Sequence, residues 1–346
     1  MMNRWHVLKR LLPLLAGMVL LLSACGRADL STLRPQGPVA EEQFGLMKLT
    51  ITIMVIVILI VFVIAGYVII RFRRRPGDKT IPVQVEGNHK LEIIWTVIPI
   101  VLLIIIGIPT VNTVFGLAKD HTKDPNALQV KVTAHQYWWE FEYPNLGVKT
   151  AQELLVPNDV IISVEAKTAD VLHSFWVPSL FGKIDTNPGG NVNTMYFEAP
   201  KTGVYLGKCA ELCGPSHSLM DFKVKVVDRA SFDRWVAAMK NPVAPPQDQE
   251  VADLLNKQCL SCHAIGSNGA AFPNLMGIGS RQTVAGILVN TDQPKYENEG
   301  SVEQNLEKWI ADPQAVKPGT LMPKVDLTQD QVKAIAEYLA GLKLDY

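Results

Sequence analysis

Two long apolar runs constrain this chain more strongly than any other feature of its sequence. Residues 47–70 and 91–115 consist largely of Ile, Val, Leu and Phe, and each is long enough for the roughly 20-residue helix that crosses a bilayer. The second run contains Pro99 and Pro109, which membrane helices tolerate. Six Arg and Lys residues lie between the runs against two acidic residues, so the positive-inside rule predicts a cytoplasmic loop. We therefore predict a two-helix transmembrane hairpin within residues 25–116.

The first 24 residues have the pattern of an export signal. A basic start precedes an apolar run over residues 11–22, which is too short to span a bilayer. The sequence Leu-Ser-Ala-Cys that ends at Cys25 fits a bacterial lipoprotein cleavage site. It predicts removal of residues 1–24 and attachment of lipid to Cys25; ordinary signal cleavage that discards Cys25 is the alternative. With the hairpin, this predicts a multi-pass protein of the bacterial cytoplasmic membrane whose soluble regions both face the outer, periplasmic side.

The remaining sequence divides at a proline-rich stretch. Residues 241–250 contain three prolines and no periodic pattern, which is typical of a linker. We therefore predict soluble domains over residues 117–240 and 251–346. The 33 basic and 33 acidic residues give a formal net charge of zero, so composition gives no sign of nucleic-acid binding and we expect no nucleic-acid partner.

Short β-type runs fill the first soluble domain. Between residues 127 and 228, segments rich in Val, Ile, Tyr and Phe are separated by Gly or Pro. This spacing is typical of an antiparallel sandwich or barrel. The first soluble domain is therefore predicted to be all-β.

Several potential metal ligands lie close together in the sequence KCAELCGPSHSLM. Cys209, Cys213, His217 and Met220 fall within twelve residues. A disulfide would leave the histidine and the methionine unexplained, and a thioether is a poor zinc ligand. Two thiolates, an imidazole and a thioether form the soft ligand set that copper prefers, and two sulfurs can bridge two copper ions. Each ion then needs one imidazole, and His173 on an earlier β-type run supplies the second.

The pattern C-x-E-x-C-x3-H-x2-M with an upstream histidine resembles the dinuclear copper A motif of cytochrome c oxidase subunit II. The stretches LEIIWTVIP, HQYWWEFEY and GKIDTNPG are also similar to that family, so the resemblance covers roughly residues 40–240. It implies a cupredoxin-like Greek-key sandwich. In it, Cys209 and Cys213 would bridge two copper ions, and His173 and His217 would bind one ion each.

The resemblance also implies outer ligands and a place where electrons enter. The Met220 sulfur and the Glu211 backbone carbonyl would be weak copper ligands, and the Glu211 carboxylate would reach a magnesium or manganese ion at the contact with subunit I. The family receives electrons at an aromatic cluster that commonly begins with Trp, whereas this chain has Tyr137, Trp138 and Trp139 there. The alternative role for at least half of these rings is packing in the core and across strands.

The second soluble domain contains the haem-attachment motif C-x-x-C-H, at Cys259, Cys262 and His263. The two thiols of such a motif form thioethers with the haem vinyl groups, and the adjacent imidazole is placed to bind the iron. A thioredoxin-like redox pair is the alternative, but no βαβ pattern surrounds the motif. We therefore predict that these three residues hold a covalent haem c.

Helical patterns flank this motif and indicate an all-α class I cytochrome c domain. An apolar-periodic segment precedes it, and capping boxes at residues 301–304 and 328–331 open two further helices. A thioether is the expected sixth iron ligand because it raises the iron potential. Met322, in a proline-bounded loop before the last helix, is predicted to be this ligand, and Met276 is predicted to pack on the haem ring.

A subunit II with a fused cytochrome c domain resembles the caa3-type oxidases of bacteria. The resemblance implies that electrons pass from a respiratory donor, cytochrome c or a bc complex, through haem c to copper A and on to haem a of subunit I, where oxygen is reduced to water. Subunit I, other oxidase subunits and membrane lipid would be partners. The alternatives are a membrane-tethered copper and haem electron carrier outside any oxidase, or a copper chaperone. A quinol oxidase relative is disfavoured because such proteins lack the copper ligands.

Overall fold

The computed structural model describes residues 13, 17, 27, 29–77, 81, 83–241, 243–266 and 271–346. Cys25 and most of the predicted signal segment lie outside the described residues, so signal cleavage and lipid attachment stay predictions. The described chain forms a pair of long helices, a β-sandwich and a mainly helical C-terminal domain.

The two long helices form the predicted hairpin. Helix α1 spans Pro38–Arg71 and helix α2 spans His89–Leu117, and they pack against each other. Both are long and apolar enough to cross a membrane. Helix α2 continues through Pro99 and Pro109 as expected, and the Asn88 side chain caps its first turn by accepting hydrogen bonds from two backbone amides.

Helix α1 begins at Pro38 rather than at residue 47, because its first turn belongs to the soluble part of the protein. Val39 and Ala40 are buried, and Val39 belongs to the apolar core of the sandwich. At the other helix, the Tyr196 hydroxyl donates to the carbonyl of Gly116 at 3.3 Å. The sandwich therefore adjoins the start of α1 and the end of α2, opposite the Arg-rich loop.

Ten strands between residues 128 and 227, a range that the structure describes completely, form two five-stranded sheets. The strands are β1 Leu128–His135, β2 Trp138–Tyr143, β3 Val148–Ala151, β4 Glu153–Pro157, β5 Ile162–Thr168, β6 His173–Trp176, β7 Ile184–Thr186, β8 Asn193–Phe197, β9 Gly203–Cys209 and β10 Asp221–Val227. The first sheet has the order β3-β2-β1-β5-β8, and the second has the order β4-β10-β9-β6-β7. This arrangement confirms the cupredoxin-like sandwich.

Most neighbouring strands are antiparallel, as predicted, but each sheet also contains one parallel pair. Strand β1 lies parallel to β5, and β4 lies parallel to β10. Between the members of each pair the chain visits the opposite sheet, and such a long connection lets a strand return beside an earlier one in the same direction. Strand periodicity alone does not encode this crossing.

Aromatic side chains fill the space between the sheets. The rings of Phe175 and Phe222 stack with centroids 4.7 Å apart, and Trp139 meets both rings at 5.4 Å. Gly207 makes room for the Phe222 ring, because a Cβ at that position would overlap it. Helix α3, Arg229–Lys240, closes this core through its buried Phe232 and Trp235. The strands that carry the predicted copper ligands thus rest on a rigid, fully packed interior.

The C-terminal domain is built mainly from helices, as predicted. Its helices are α4 Gln249–Leu254, α5 Val302–Ala311, α6 Pro313–Val316 and α7 Gln329–Gly341. Both predicted capping boxes are present, with Ser301 capping α5 and Thr328 capping α7. Helices α5 and α7 pack together over a separate apolar core. The structure adds a small sheet of three short strands, β11 Thr283–Val284, β12 Leu288–Asn290 and β13 Glu299–Gly300.

Candidate metal and haem centres

The predicted copper ligands meet at one end of the second sheet. Strand β9 ends at Cys209, the following loop returns through a 3-10 turn at His217–Leu219, and Met220 directly precedes β10. Strand β6 begins at His173 and pairs with β9, so that Phe175 lies opposite Cys209. Sheet pairing therefore brings a distant histidine to the cysteine loop.

The donor atoms of this site lie at contact distance from one another. The Cys209 and Cys213 sulfurs are 3.9 Å apart, and both thiols are free. The Nδ1 atom of His173 lies 3.8 Å from the Cys209 sulfur, and Nδ1 of His217 lies 3.7 Å from the Cys213 sulfur. The Met220 sulfur lies 3.9 Å from that of Cys213. Each cysteine therefore has one imidazole beside it, as two bridging sulfurs and two terminal imidazoles require.

The two thiols share one proton more readily than they lose two. Interaction with Cys213, supported by His173, lowers the pKa of the Cys209 thiol despite its burial. Conversely, interaction with Cys209 raises the pKa of the Cys213 thiol, and burial adds to this effect. Bound cations would relieve the conflict because they favour both thiolates. This donor set, with two buried soft sulfurs flanked by imidazoles, therefore fits copper.

Glu211 points toward the site through its backbone. Its carbonyl oxygen lies 3.3 Å from the Cys209 sulfur, whereas its side chain is partly exposed. The adjacent Leu212 is 76% exposed, although it lies between the two cysteines. The Glu211 carbonyl therefore lies beside the Cys209 sulfur, and its role as a weak copper ligand stays a prediction.

Asp170 orients His173 and was not identified from the sequence. Its carboxylate oxygen lies 2.8 Å from Nε2 of His173, and the carboxylate also accepts hydrogen bonds from the backbone amides of Gln136 and Val171, each at 2.7 Å. Burial alone would raise the pKa of Asp170, but these hydrogen bonds lower it overall. An ionised carboxylate on Nε2 leaves Nδ1 of His173 free to bind a metal.

We expect the Asp170→Asn variant to bind copper about 10–100-fold more weakly, because partners that orient a metal-binding histidine typically contribute this much to affinity. The measurement is copper retention by the full-length protein against a competing chelator. Asp233→Asn is the matched control, since Asp233 is exposed and pairs with Arg229 on the surface of α3. Equal copper affinity of the two variants would contradict the role given to Asp170.

The three predicted aromatic residues have different surroundings. Trp139 is fully buried, contacts the core rings, and donates from its indole nitrogen to the carbonyl of Met220 at 3.5 Å. Trp138 stacks on His135 with centroids 4.1 Å apart. Tyr137 is only 3% exposed, and its hydroxyl lies against Gly214, where a Cβ would clash with it. Packing therefore accounts for the position of Trp139, while Tyr137 adjoins the loop from Cys209 to Met220, called the metal loop below.

A large apolar cavity in the C-terminal domain contains the whole predicted haem site. The cavity and the solvent-open space at its mouth together amount to about 1310 Å³. Cys259, Cys262 and His263 line it together with Met322. The side chains around them are mostly apolar, which suits a porphyrin ring and excludes water from it. The cavity therefore fits a covalently attached haem.

A hydrogen bond to the backbone orients the His263 imidazole so that one ring nitrogen is available to a metal. Its Nδ1 lies 2.7 Å from the carbonyl oxygen of Pro273, so Nδ1 donates there and Nε2 is left to bind iron. Burial lowers the pKa of His263, although the Pro273 carbonyl opposes this. The imidazole is therefore neutral at pH 7, the form that binds metals.

The two candidate methionines lie in different places. Met322 lines the haem cavity and is partly buried. Met276 is 3% exposed and packs with the core of the sandwich rather than in the haem cavity. The expectation that Met276 packs on the haem ring is therefore wrong, because docking of the two domains draws it into their interface.

The haem cavity is closed on one side by the sandwich. Gln136, Tyr137, Trp138 and Gln152 from the sandwich line the same cavity as the haem motif. Polar contacts join the domains elsewhere: the Glu153 carboxylate accepts from the backbone amide of Gln282 at 2.9 Å, Asn274 donates to the carbonyl of Lys149 at 3.2 Å, and Lys225 donates to the hydroxyl of Tyr346 at 2.9 Å. The haem cavity therefore borders the sandwich, and Tyr137 at this border adjoins the loop between the two cysteines and Met220.

Three families of known proteins match successive parts of the chain. The transmembrane domain of cytochrome c oxidase subunit II matches residues 32–113, and the periplasmic domain of that subunit matches residues 145–227. The cytochrome c family matches residues 248–343. These families imply binding of copper A and of haem c.

Individual relatives extend over the full chain. A cytochrome c oxidase subunit 2 from Bacillus sp. (strain PS3) is 46% identical over 367 residues, covering 99% of this chain and 100% of that protein. One from Bacillus subtilis (strain 168) is 45% identical over 372 residues, covering 100% and 99% respectively. A quinol oxidase subunit 2 from Bacillus subtilis (strain 168) is 35% identical over 256 residues, covering 72% of this chain and 78% of that protein.

Full-length similarity, the two apolar helices, the sandwich and the cytochrome c domain agree with one another. The chain therefore belongs to the cytochrome c oxidase subunit II family and has the fused cytochrome c domain of a caa3-type oxidase.

Proposed function

We propose that a copper A pair is held by six residues and a covalent haem c by four, and that the two centres form one relay in this subunit. The copper residues are His173, Cys209, Glu211, Cys213, His217 and Met220. The haem residues are Cys259, Cys262, His263 and Met322. The observation that carries the proposal is the meeting of two imidazoles and a thioether with two free thiols, beside a cavity that contains both haem ligands.

When bound, copper A and haem c supply the one-electron relay from a respiratory donor to haem a of subunit I, where oxygen is reduced to water. The side chains and backbone of this subunit hold the ligands of the two centres in fixed positions. Asp170 holds the imidazole of His173, and the Pro273 carbonyl holds that of His263. The packed sandwich core keeps the ligand loop rigid, so that the ligands need little rearrangement when the charge of the site changes.

The same arrangement bears on where electrons enter. Tyr137 and Trp138 line the haem cavity and are almost fully buried, at 3% and 8% exposure. A soluble donor therefore has little access to these two rings while the cytochrome c domain is docked. We infer that a donor, either a cytochrome c or a bc complex, delivers electrons to haem c, and that Tyr137, Trp138 and Trp139 serve within the relay.

We place both soluble domains on the outer face of the membrane. The sandwich adjoins the start of α1 and the end of α2, and the loop at the opposite end of the hairpin carries Arg73, Arg74 and Arg75, all exposed. Basic residues of this kind favour the cytoplasmic side. Residues 117–240 and 251–346 remain our proposed soluble domains, with residues 241–250 as the linker.

Two further elements of the proposal concern partners. Subunit II belongs to an oxidase complex with subunit I, and we propose that Glu211 shares a magnesium or manganese ion with it, because this carboxylate is partly exposed beside the unusually exposed Leu212. We also propose lipid attachment at Cys25, which would anchor the segment before α1 to the same membrane face.

The similarity over the whole chain disfavours the alternatives. A copper chaperone or a carrier outside any oxidase would not need the complete subunit II and cytochrome c matches. The quinol oxidase relative matches only part of this chain, and the copper ligands predicted from the sequence are all present here.

The test is purification of the assembled complex from membranes by an affinity tag on this chain. We expect a large polytopic subunit to co-purify, and oxygen uptake to proceed with an electron donor that reduces haem c. Oxygen uptake is then compared with and without added cytochrome c. Isolation of the chain alone, loaded with metal and haem but without oxygen uptake, would support the free-standing carrier instead.

A further inference from the structure

One lysine of the cytochrome c domain is buried at the contact with the sandwich. Lys317 follows α6 and is only 2% exposed. Its ammonium nitrogen donates to the backbone carbonyl of Tyr137 at 3.0 Å and to that of Ala285 at 2.6 Å. The first acceptor belongs to the sandwich and the second to the cytochrome c domain, so a single side chain joins the two domains.

Burial of a lysine costs free energy unless its amine is hydrogen-bonded or paired, and lysine is almost never fully buried without such partners. Burial lowers the pKa of Lys317 to about 7, and the nearby Asp221 only partly offsets the effect. Lys223 and Cys213 are the other charged or titratable groups that act on it. The two carbonyl acceptors compensate for the loss of water, and without the amine the buried carbonyl of Tyr137 would lose this donor.

The residues after Lys317 continue the same contact. The Ser216 hydroxyl, in the metal loop, donates to the carbonyl of Pro318 at 2.6 Å. Gly319 has a positive φ of 79°, and a Cβ there would lie 3.5 Å from the Tyr137 ring. Residues 317–319 therefore hold Tyr137 by its carbonyl and its ring, and hold the metal loop next to His217.

The same segment leads directly to the predicted iron ligand. Met322 lies five residues after Lys317. The Gln314 side chain ties the segment together: its amide nitrogen donates to the carbonyls of Thr320 and Met322, at 2.6 and 3.3 Å, and its oxygen accepts from the amide of Gly319 at 2.9 Å. Lys317, which contacts the sandwich, and Met322, which lines the haem cavity, thus belong to one loop that the Gln314 side chain stabilises.

We propose that Lys317 is a positioning residue that docks the cytochrome c domain on Tyr137 and so fixes the separation between the haem and copper centres. This inference rests on the proposed function. The dependent step is transfer of one electron, in which reduced haem iron is oxidised and the oxidised copper pair is reduced, with no bond made or broken. Its rate falls steeply with distance, so a docked domain transfers electrons and a displaced one does not.

The test compares full-length protein carrying both cofactors in three variants. Lys317→Met keeps the length of the side chain but removes the donor, and Lys317→Gln restores a shorter donor. Lys333→Met is the matched control, because Lys333 is exposed on α7. Copper content, haem content and both midpoint potentials are measured first, and all variants are expected to match the wild type.

Two readouts then report docking. The first is the rate of electron transfer from haem c to copper after a light flash that reduces the haem. The second is hydrogen–deuterium exchange of peptides covering residues 134–140 and 314–322. We expect Lys317→Met to slow transfer, and to speed exchange by about tenfold or more, the factor by which a lost docking free energy of about 1.4 kcal/mol raises the undocked-to-docked ratio. Lys317→Gln should recover part of both effects, and Lys333→Met should change neither.

Wild-type transfer and exchange in Lys317→Met would overturn the inference while leaving the proposed function intact. Equal behaviour of Lys317→Gln and Lys317→Met would overturn the hydrogen-bonding role, and so would loss of haem or copper from either variant, because a positioning residue leaves both centres in place. Absence of copper or haem from the wild-type protein would instead contradict the proposed function itself.

Discussion

The Cys213→Ser variant is expected to lose the two-copper centre completely. The Cys213 sulfur lies within 4 Å of three other ligand atoms, those of Cys209, His217 and Met220, so its removal affects both copper positions at once. The full ligand set of a structural metal site contributes on the order of 10 kcal/mol of binding free energy. Loss of one bridging sulfur should therefore weaken copper binding by ~1000-fold or more.

Glu211→Gln is the matched control for this variant. Glu211 contacts the Cys209 sulfur through its backbone carbonyl, which the substitution retains, so both copper ions should stay in place. Copper is measured per chain by elemental analysis, and haem content serves as the internal check on folding. A Cys213→Ser protein that still binds two copper ions per chain would show that this sulfur is not a bridge.

The Met322→Ala variant is expected to keep its covalent haem but lose the sulfur ligand of the iron. Both thioether cysteines and His263 are unchanged, so haem remains attached. Axial ligands set haem potentials over a wide range, and loss of the thioether should lower the potential on the order of 0.2 V. Electron transfer to copper would then become much more favourable, while reduction of the haem by its donor would become slow.

Met276→Leu is the control for Met322→Ala. Met276 is buried in the interface with the sandwich and does not line the haem cavity, so its replacement should leave the potential and the visible spectrum of the haem unchanged. Redox titration followed by absorbance measures both variants. A shift in Met276→Leu together with a wild-type potential in Met322→Ala would reverse the assignment.

The sequence was sufficient to predict residues whose chemistry depends on local spacing. The cysteine loop from Cys209 to Met220 and the haem motif from Cys259 to His263 each contain several predicted ligands within a few residues. The two capping boxes are equally local, because they need only a Ser or Thr and a Gln three positions later. These motifs can be recognised from neighbouring residues alone, without knowledge of any contact between distant parts of the chain.

Most features that depend on distant contacts were not predicted; His173 and Met322 are exceptions, because their residue types complete ligand sets that the local motifs leave incomplete. Lys317 meets Tyr137 across 180 residues, and the sequence around it reads as an ordinary surface loop. Asp170 was also missed, although it lies three residues before His173, because acidic residues near histidines are common and only the turn before β6 aims this one at Nε2. The early start of α1 and the burial of Met276 likewise follow from packing against the sandwich.

The most direct test of the account is to count the copper ions in the full-length protein and record their electron spin resonance spectrum. Two copper ions per chain are expected, with one unpaired electron shared between them, so the spectrum should show more hyperfine lines than a single copper ion gives. One copper ion per chain, or the four-line signal of a mononuclear site, would contradict the proposal that Cys209 and Cys213 jointly bridge a metal pair.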